Sequence, residues 1–370
     1  MRARAIIHLD NFLQNVAFVK KLTGKPICVP VKTDAYGHGA VEIAKAALNA
    51  GVSCLGVAAA AEGTELRKNG ISCPILLFSQ PNPNEIPEIF DSNLTPFISD
   101  FGFVDALNKY AAAKNTKISV HIKIDTGMGR LGCSPEEALP LAKHIRNCPA
   151  LNLAGVATHF AASDSFKKDD KTFTQLQISR FKDAVQAIRD AGIDPGIVHA
   201  ANSGAVLLHP DSWFDMVRPG ILLYGYAIAE EDKPEYYSQI KPVMELRAAV
   251  SLIKPIKKGV SVSYDRIWTA PNDTDIAVLS IGYGDGLPRL ASNRWAAMIN
   301  GKAYSLAGRI CMDQCCVDIE QDKTVSQWDE AVIFGGLAQD AATLAQVIGT
   351  IPYEITCNIN KRVERIYIGN

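Results

Sequence analysis

The sequence predicts an α/β protein with an N-terminal (β/α)8 TIM-like barrel, residues 1–236, and a C-terminal, mostly β domain, residues 237–370. Three observations predict it. Through about residue 235, short apolar runs alternate with helical patterns, as repeated βα units require. After about Lys241 the rhythm changes to short strands separated by turns rich in Gly, Pro and Asp. The length, 370 residues, suits a barrel plus an appendage better than one average domain.

The candidate barrel strands are Ile27–Val31, Cys54–Val57, Ile75–Phe78, Leu94–Ile98, Ile118–Ile124, Leu153–Thr158, Ile197–Ala200 and Met216–Arg218. Several are unbroken apolar runs, as expected of parallel strands buried on both faces. Between them, the pattern over His38–Ala50 gathers Ile43, Ala44, Ala47 and Leu48 on one helical face and stops at Gly51. Ser134-Pro135-Glu136-Glu137 reads as a capping box with proline at the first helical position. Phe173, Leu176, Phe181, Ala184, Val185 and Ile188 form an apolar stripe that ends at Gly192. In the second domain Ala248–Ile253, Asp275–Ile281, Ala303–Ala307, Cys316–Ile319, Ala331–Phe334 and Val363–Ile368 read as strands, with one helix near Ala341–Ile348. Glu230–Pro242 is the expected linker.

Composition narrows the function. Lys plus Arg total 38 against 39 Asp plus Glu, a formal net charge of -1. Such a chain has no basic field for nucleic acid or an anionic membrane. No run approaches the ~18 apolar residues of a membrane span. The apolar stretch after Arg2 and Arg4 ends at His8, too short for a secretory signal, so a cytoplasmic protein is expected. Nine cysteines, an odd count with no CxxC pair, read as reduced thiols rather than a disulfide framework or zinc site.

Barrel enzymes work where strands end and βα loops begin. Those positions hold Lys32 to Gly39 after the first strand; Lys123, Asp125 and Arg130 after the fifth; and His159 after the sixth. Asn202, Ser203 and Gly204 follow the seventh, and Arg218, Gly220 and Ile221 close the eighth. An isolated strand-end lysine usually snorkels to solvent. If buried, its amine loses its proton more easily and can attack a carbonyl. The last two loops are where barrels commonly hold phosphate. A carbonyl-reactive lysine beside a phosphate site suggests pyridoxal 5′-phosphate (PLP). Taken singly, His159 and Arg130 read as an interior histidine and a surface ion-pair residue, and Tyr264 as a cross-strand aromatic.

In order along the chain, VKTDAYGHG (Val31–Gly39), HIKIDTGMGRLG (His121–Gly132), THF (Thr158–Phe160), HAANSGA (His199–Ala205), VRPGILLYG (Val217–Gly225), VSY (Val262–Tyr264), GYGDGLPR (Gly282–Arg289), GRICMDQ (Gly308–Gln314) and YEITC (Tyr353–Cys357) resemble the motifs of the PLP-dependent alanine racemases. The resemblance implies that Lys32 holds the PLP aldehyde and is one of two acid/base groups. Tyr264, from a partner subunit, is then the other. Tyr36, Asn202, Ser203, Gly220, Ile221 and Tyr353 would hold the cofactor, chiefly its phosphate, and Arg218 would face its ring nitrogen with His159 alongside. Arg130 and the backbone N–H of a partner's Met312, beside Asp313, would take the substrate carboxylate. Tyr283, Arg289, Arg309 and Ile351 would line the entrance with Tyr353.

Lys123 has two readings: carbamylated, as in many relatives, or an unmodified amine paired with a carboxylate such as Asp125. Thr33, Asp265, Trp268 and Gly284 depart from the residues commonest in the family at those positions. The implied activity is interconversion of L- and D-alanine by a homodimer with shared sites, supplying D-alanine for peptidoglycan. The rival readings are a serine or broad-specificity racemase, a decarboxylase of the same barrel-plus-β class, and a non-catalytic PLP-binding protein. The second domain speaks against the last.

Overall fold

In the computed structural model, residues 2–226, 239–336 and 339–369 are described. The linker expected over Glu230–Pro242 and the 236/237 boundary fall largely outside them.

The barrel is a parallel sheet of seven strands in chain order: β2 (Cys28–Pro30), β3 (Cys54–Val57), β4 (Ile75–Leu77), β5 (Thr95–Ile98), β6 (Ile118–Lys123), β7 (Leu151–Ala157) and β8 (Ile197–His199). The eighth strand, expected over Met216–Arg218, is reduced to two bridges that close the ring, Ile27 with Val217 and His199 with Met216. Proline explains the brevity. Val217 donates to the carbonyl of Pro26 at 3.0 Å, but Pro219 has no N–H with which to extend the ladder.

The helix Pro135–Arg146 starts as expected. Ser134 Oγ accepts from the Glu137 N–H at 3.2 Å, and Glu137 returns the bond to the Ser134 N–H at 2.9 Å. The helix Lys168–Asp190 differs from its apolar pattern. Leu176 is exposed, and the buried face carries Thr174 and Gln177 beside Ile178, Phe181, Ala184, Val185 and Ile188. Gln177 can turn inward because its amide is satisfied there. It accepts from the Ala161 N–H at 3.0 Å and donates to the His159 carbonyl at 3.2 Å.

The second sheet has eight strands. Its central path is β14 (Lys302–Ser305), β13 (Ala296–Ile299), β16 (Glu330–Phe334), β9 (Met244–Ile256), β1 (Arg4–His8) and β17 (Glu364–Ile368), with β12 (Thr274–Leu279) branching from β9 and β15 (Cys315–Asp318) pairing with β12. A hairpin of β10 (Ser261–Val262) and β11 (Trp268–Thr269) projects beside it. The chain's first strand was not foreseen. It inserts antiparallel to β9 and parallel to β17, burying Ala5 and Ile7 completely. The N-terminus thus belongs structurally to the second sheet.

Two contacts fix that sheet against the barrel mouth. Arg365 donates to the Gly37 carbonyl at 3.2 Å. Gly37 itself has φ +84°, and a Cβ there would stand 2.0 Å from the Thr356 carbonyl oxygen. Only glycine lets the helix Pro352–Cys357, which carries Tyr353, come this close.

Candidate active site

The strand ends frame a cavity of about 260 Å³ lined by Lys32, Tyr36, Lys123, Arg130, His159, Asn202, Ser203, Arg218, Gly220 and Tyr353. Ten residues singled out from sequence thus converge from five loops and one second-domain helix. Asp164, Phe78 and Phe97 also line it. Nothing in their local sequence distinguishes them, since only the barrel's closure turns them inward.

Lys32 is followed by an unusual turn. Thr33, Asp34, Ala35 and Tyr36 all have φ between 52° and 56°, a left-handed helical turn built without glycine. Such residues cost roughly 1–2 kcal/mol each in this region, so other bonds must hold them. Glu62 accepts from the N–H groups of Thr33 (2.6 Å), Ala58 (2.7 Å) and Ala59 (3.2 Å). Asp34 accepts from the Ala40 N–H at 2.7 Å, and His38 Nδ1 lies 3.0 and 2.9 Å from the carbonyls of Ala35 and Tyr36. The turn keeps Lys32 in the mouth. Burial, and then the Arg130 charge, lower its pKa from the ordinary lysine value.

On the opposite wall, Ser203 Oγ accepts from the N–H groups of Gly220 (2.8 Å) and Leu222 (3.2 Å), joining the last two loops. Asn202 caps the helix Ser203–Leu208, accepting from the Ala205 N–H at 3.0 Å and the Ser163 hydroxyl at 2.6 Å. Among the described residues, the N–H groups of Ser203, Gly204 and Ile221 have no protein acceptor. Ile221 is itself wholly buried, so only its backbone can serve a ligand. Tyr36 and Tyr353 stand with ring centroids 5.8 Å apart, and burial raises both phenols well above the ordinary tyrosine range. Neutral hydroxyls and free N–H groups around one space are what a phosphate needs.

Arg218 forms the floor. It donates to the carbonyls of Thr158 (2.7 Å) and Ala200 (3.1 Å) and to His199 Nδ1 (2.7 Å). Burial pulls it down to about 10, still a cation at neutral pH. Its imidazole partner is therefore His199, and not His159. His159 lines the cavity, held well below the ordinary histidine range by burial and Arg218.

Lys123 is buried, and among the described residues its amine reaches only the Ile124 carbonyl, at 3.3 Å. The pairing with Asp125 does not form. Asp125 instead accepts from the N–H groups of Gly127, Met128 and Gly129 at 2.9 to 3.1 Å. Burial first, then Arg218, push Lys123 down to about 7. Arg130 has no carboxylate partner among the described residues and faces the cavity.

The remaining expected residues lie elsewhere. Tyr264, Met312, Tyr283, Arg289, Arg309, Asp313 and Ile351 are absent from the cavity lining, and Tyr264 is 68% and Met312 54% exposed. Tyr264 is not a cross-strand aromatic. It occupies a tight corner between β10 and β11, flanked by Ser263 at φ 67° and Asp265 at φ 58°. Asp265 pairs with Arg309 (3.0 Å) and Arg289 (3.4 Å). Asp313 pairs with Arg362 at 2.9 Å, and Arg362 also donates to the Met312 carbonyl at 3.3 Å. A Cβ on Gly284 would stand 2.6 Å from that guanidinium, so the departure at 284 makes room for this clamp.

Comparison with known proteins gives one answer. Family models described as the alanine racemase N-terminal and C-terminal domains match residues 7–228 and 243–367. An alanine racemase of Treponema denticola is 52% identical, covering 100% of this chain and 99% of that protein. One from Treponema pallidum is 44% identical, covering 99% of each. Among solved structures, the alanine racemase of Clostridium difficile 630 superposes with a TM-score of 0.93 at 35% identity, over 100% of this chain and 96% of that one. That of Streptomyces coelicolor A3(2) gives 0.94 at 34%, over 100% and 98%.

Proposed function

The chain belongs to the alanine racemase family of PLP-dependent isomerases, and we propose which of its residues carry the interconversion of L- and D-alanine. The observation that carries the proposal is the cavity. A desolvated lysine, a carboxylate-free arginine, a floor arginine and a rim of unpartnered N–H groups open into one space.

The residues fit the cofactor. Ser203, Gly204, Ile221, Tyr36 and Tyr353 would hold its phosphate, with Asn202 fixing the loop and Gly220 leaving the necessary room. A Cβ on Gly220 would stand 2.6 Å from Tyr36 Oη. When bound, PLP supplies an electron sink next to the substrate α-carbon. Lys32 would hold it, and the lowered pKa of its amine would let Nζ take or return a proton on one face of that carbon. Tyr264 Oη of a second copy works on the other face. Exposed and outside its own chain's cavity, Tyr264 is available to a neighbour, as are Met312 and Asp313 beside it.

Arg130 binds the substrate carboxylate, which its missing partner leaves it free to do. Lys123, partly neutral near pH 7, is reactive toward carbon dioxide, and as a carbamate it becomes an anion that orients Arg130. Arg218, fixed as a donor by His199 and two carbonyls, would give no proton to the cofactor's ring nitrogen. Withholding that proton would favour quick return of the α-proton, and so racemisation over transamination. His159 shapes the same wall. Tyr283, Arg289, Arg309 and Ile351 form the partner-side entrance. We place the enzyme in the cytoplasm as a homodimer, supplying D-alanine for peptidoglycan.

The visible spectrum of purified protein and D-alanine formation from L-alanine test this. A coloured protein that racemises alanine faster than serine or lysine is expected. A protein that stays colourless and inactive after PLP is added overturns the assignment of these residues.

A further inference from the structure

Behind Arg218 runs a line of buried polar groups that the reaction as described leaves without a task. Arg218 Nη1 lies 2.7 Å from His199 Nδ1, and His199 Nε2 lies 2.8 Å from His121 Nδ1. All three side chains are buried. A guanidinium has donors only, so His199 Nδ1 must accept and its proton must sit on Nε2. That N–H needs an acceptor, and His121 Nδ1 provides it, which places the His121 proton on Nε2. Burial and the Arg218 charge hold both rings neutral, so each keeps a single proton.

The fold places His121 with care. Its ring stacks on Phe97 at 6.0 Å with planes 11° apart, and meets His199 edge-on at 5.0 Å. Gly155 on the adjacent strand leaves the space: a Cβ there would stand 2.5 Å from the His121 Cε1 and 2.6 Å from its Nδ1. A larger residue at 155 would push the ring away from His199.

We propose that His121 is a positioning residue for racemisation: by accepting the His199 Nε2–H it fixes the tautomer with which His199 anchors Arg218 at the cavity floor. The role in catalysis rests on the part proposed above for Arg218. Without His121 Nδ1, the His199 Nε2–H is buried with no acceptor. Moving the proton to Nδ1 turns it against the Arg218 donor, and the guanidinium keeps only its two carbonyl anchors. A cation free to shift no longer presents a constant donor to the cofactor ring, and proton return to the α-carbon loses its advantage over transamination.

The test uses full-length holoenzyme labelled with 15N-histidine, with His121→Leu and His121→Gln variants. In the wild type, the imidazole shifts should report His199 as the Nε2–H tautomer. In H121L that signal should move toward the Nδ1–H form. The kcat should fall at least about tenfold, with KM for alanine within about twofold because Arg130 takes the carboxylate. Transamination per turnover should rise several-fold. H121Q, whose amide oxygen can accept the same N–H, should recover most of kcat. A wild-type His199 protonated on Nδ1 overturns the proposal. So does a folded H121L with wild-type kcat and partition. If H121L does not fold, the wild-type tautomer and H121Q decide. Should the wild type neither bind PLP nor racemise alanine, the functional reading fails, while the imidazole shifts still judge the hydrogen-bond chain separately.

Discussion

Gly220→Ala tests the phosphate cradle with a single methyl group. The φ of Gly220 lies outside the left-handed region, so the backbone accepts alanine and the effect comes from the methyl alone. The new Cβ would stand 2.6 Å from Tyr36 Oη, 3.3 Å from its Cζ and 3.9 Å from Ser203 Oγ. Ordinary contact begins near 3.4 Å, so the hydroxyl must withdraw by most of an ångström. Tyr36 has little freedom to do so, packed against Tyr224 at 4.8 Å and Tyr353 at 5.8 Å between centroids. Overpacking of this kind costs about 1–3 kcal/mol. A lost hydrogen bond to a charged phosphate costs about 1.5–3 kcal/mol. PLP affinity should therefore fall roughly 10- to 100-fold. Titrating cofactor-stripped variant and wild type with PLP, followed by absorbance, measures this; thermal unfolding without cofactor separates packing damage from binding. A variant that melts like the wild type and binds PLP equally well would refute the placement of the phosphate between Tyr36 and Gly220.

Four further outcomes are expected. Inactive Lys32→Ala and Tyr264→Ala proteins, mixed and allowed to exchange subunits, should regain about a quarter of wild-type activity, since half the dimers become hybrids with one complete site of two; demonstrated exchange without recovery argues against shared sites. Lys123 is held at about 7 in the folded chain against about 10.4 unfolded. The unfolded state binds more protons across that window, so stability should rise with pH through it and level off above. Lys123→Met should flatten the rise in urea unfolding run without bicarbonate, and 13C-bicarbonate should give the wild type alone a carbamate resonance. Glu62→Ala removes the acceptor of three N–H groups behind Lys32 and should cost about 1–3 kcal/mol with reduced PLP occupancy; an unchanged melting temperature and spectrum would mean that the left-handed turn holds itself. Arg130→Gln should raise KM for alanine about tenfold or more in steady-state assays, and an unchanged KM removes Arg130 from the carboxylate.

Much of the fold was legible because it rests on local pattern. Cys54–Val57 and Ala341–Ile348 have the limits that apolar runs and turn residues set, and Ser134 caps its helix as its spacing to Glu137 requires. Nine of the ten cavity-lining site residues were legible for a related reason, since strand ends in a barrel converge; Tyr353, on a second-domain helix, was legible only through the family resemblance. Local pattern misleads where a distant partner outweighs it. Leu176 faces solvent because Gln177 has carbonyl and N–H partners waiting inside. Lys123 has no Asp125 partner because three backbone N–H groups claim that carboxylate first.

The sequence by itself determined the α/β class, the barrel's strand positions and the residue types gathered at its mouth. These follow from hydrophobic period and from chemistry that each side chain carries wherever it stands. Only the tertiary structure decided three things. It placed β1 between β9 and β17, because strand pairing depends on which backbone edges the fold brings together and not on nearness along the chain. It wound Thr33–Tyr36 left-handed against their intrinsic preference, because Glu62 and His38 from outside the turn, and the Asp34 side chain reaching Ala40, supply the compensating bonds. It also chose His199 and His121, from a chain of seven histidines, to stand behind Arg218, since hydrogen-bond donors and acceptors find one another in space and not along the chain.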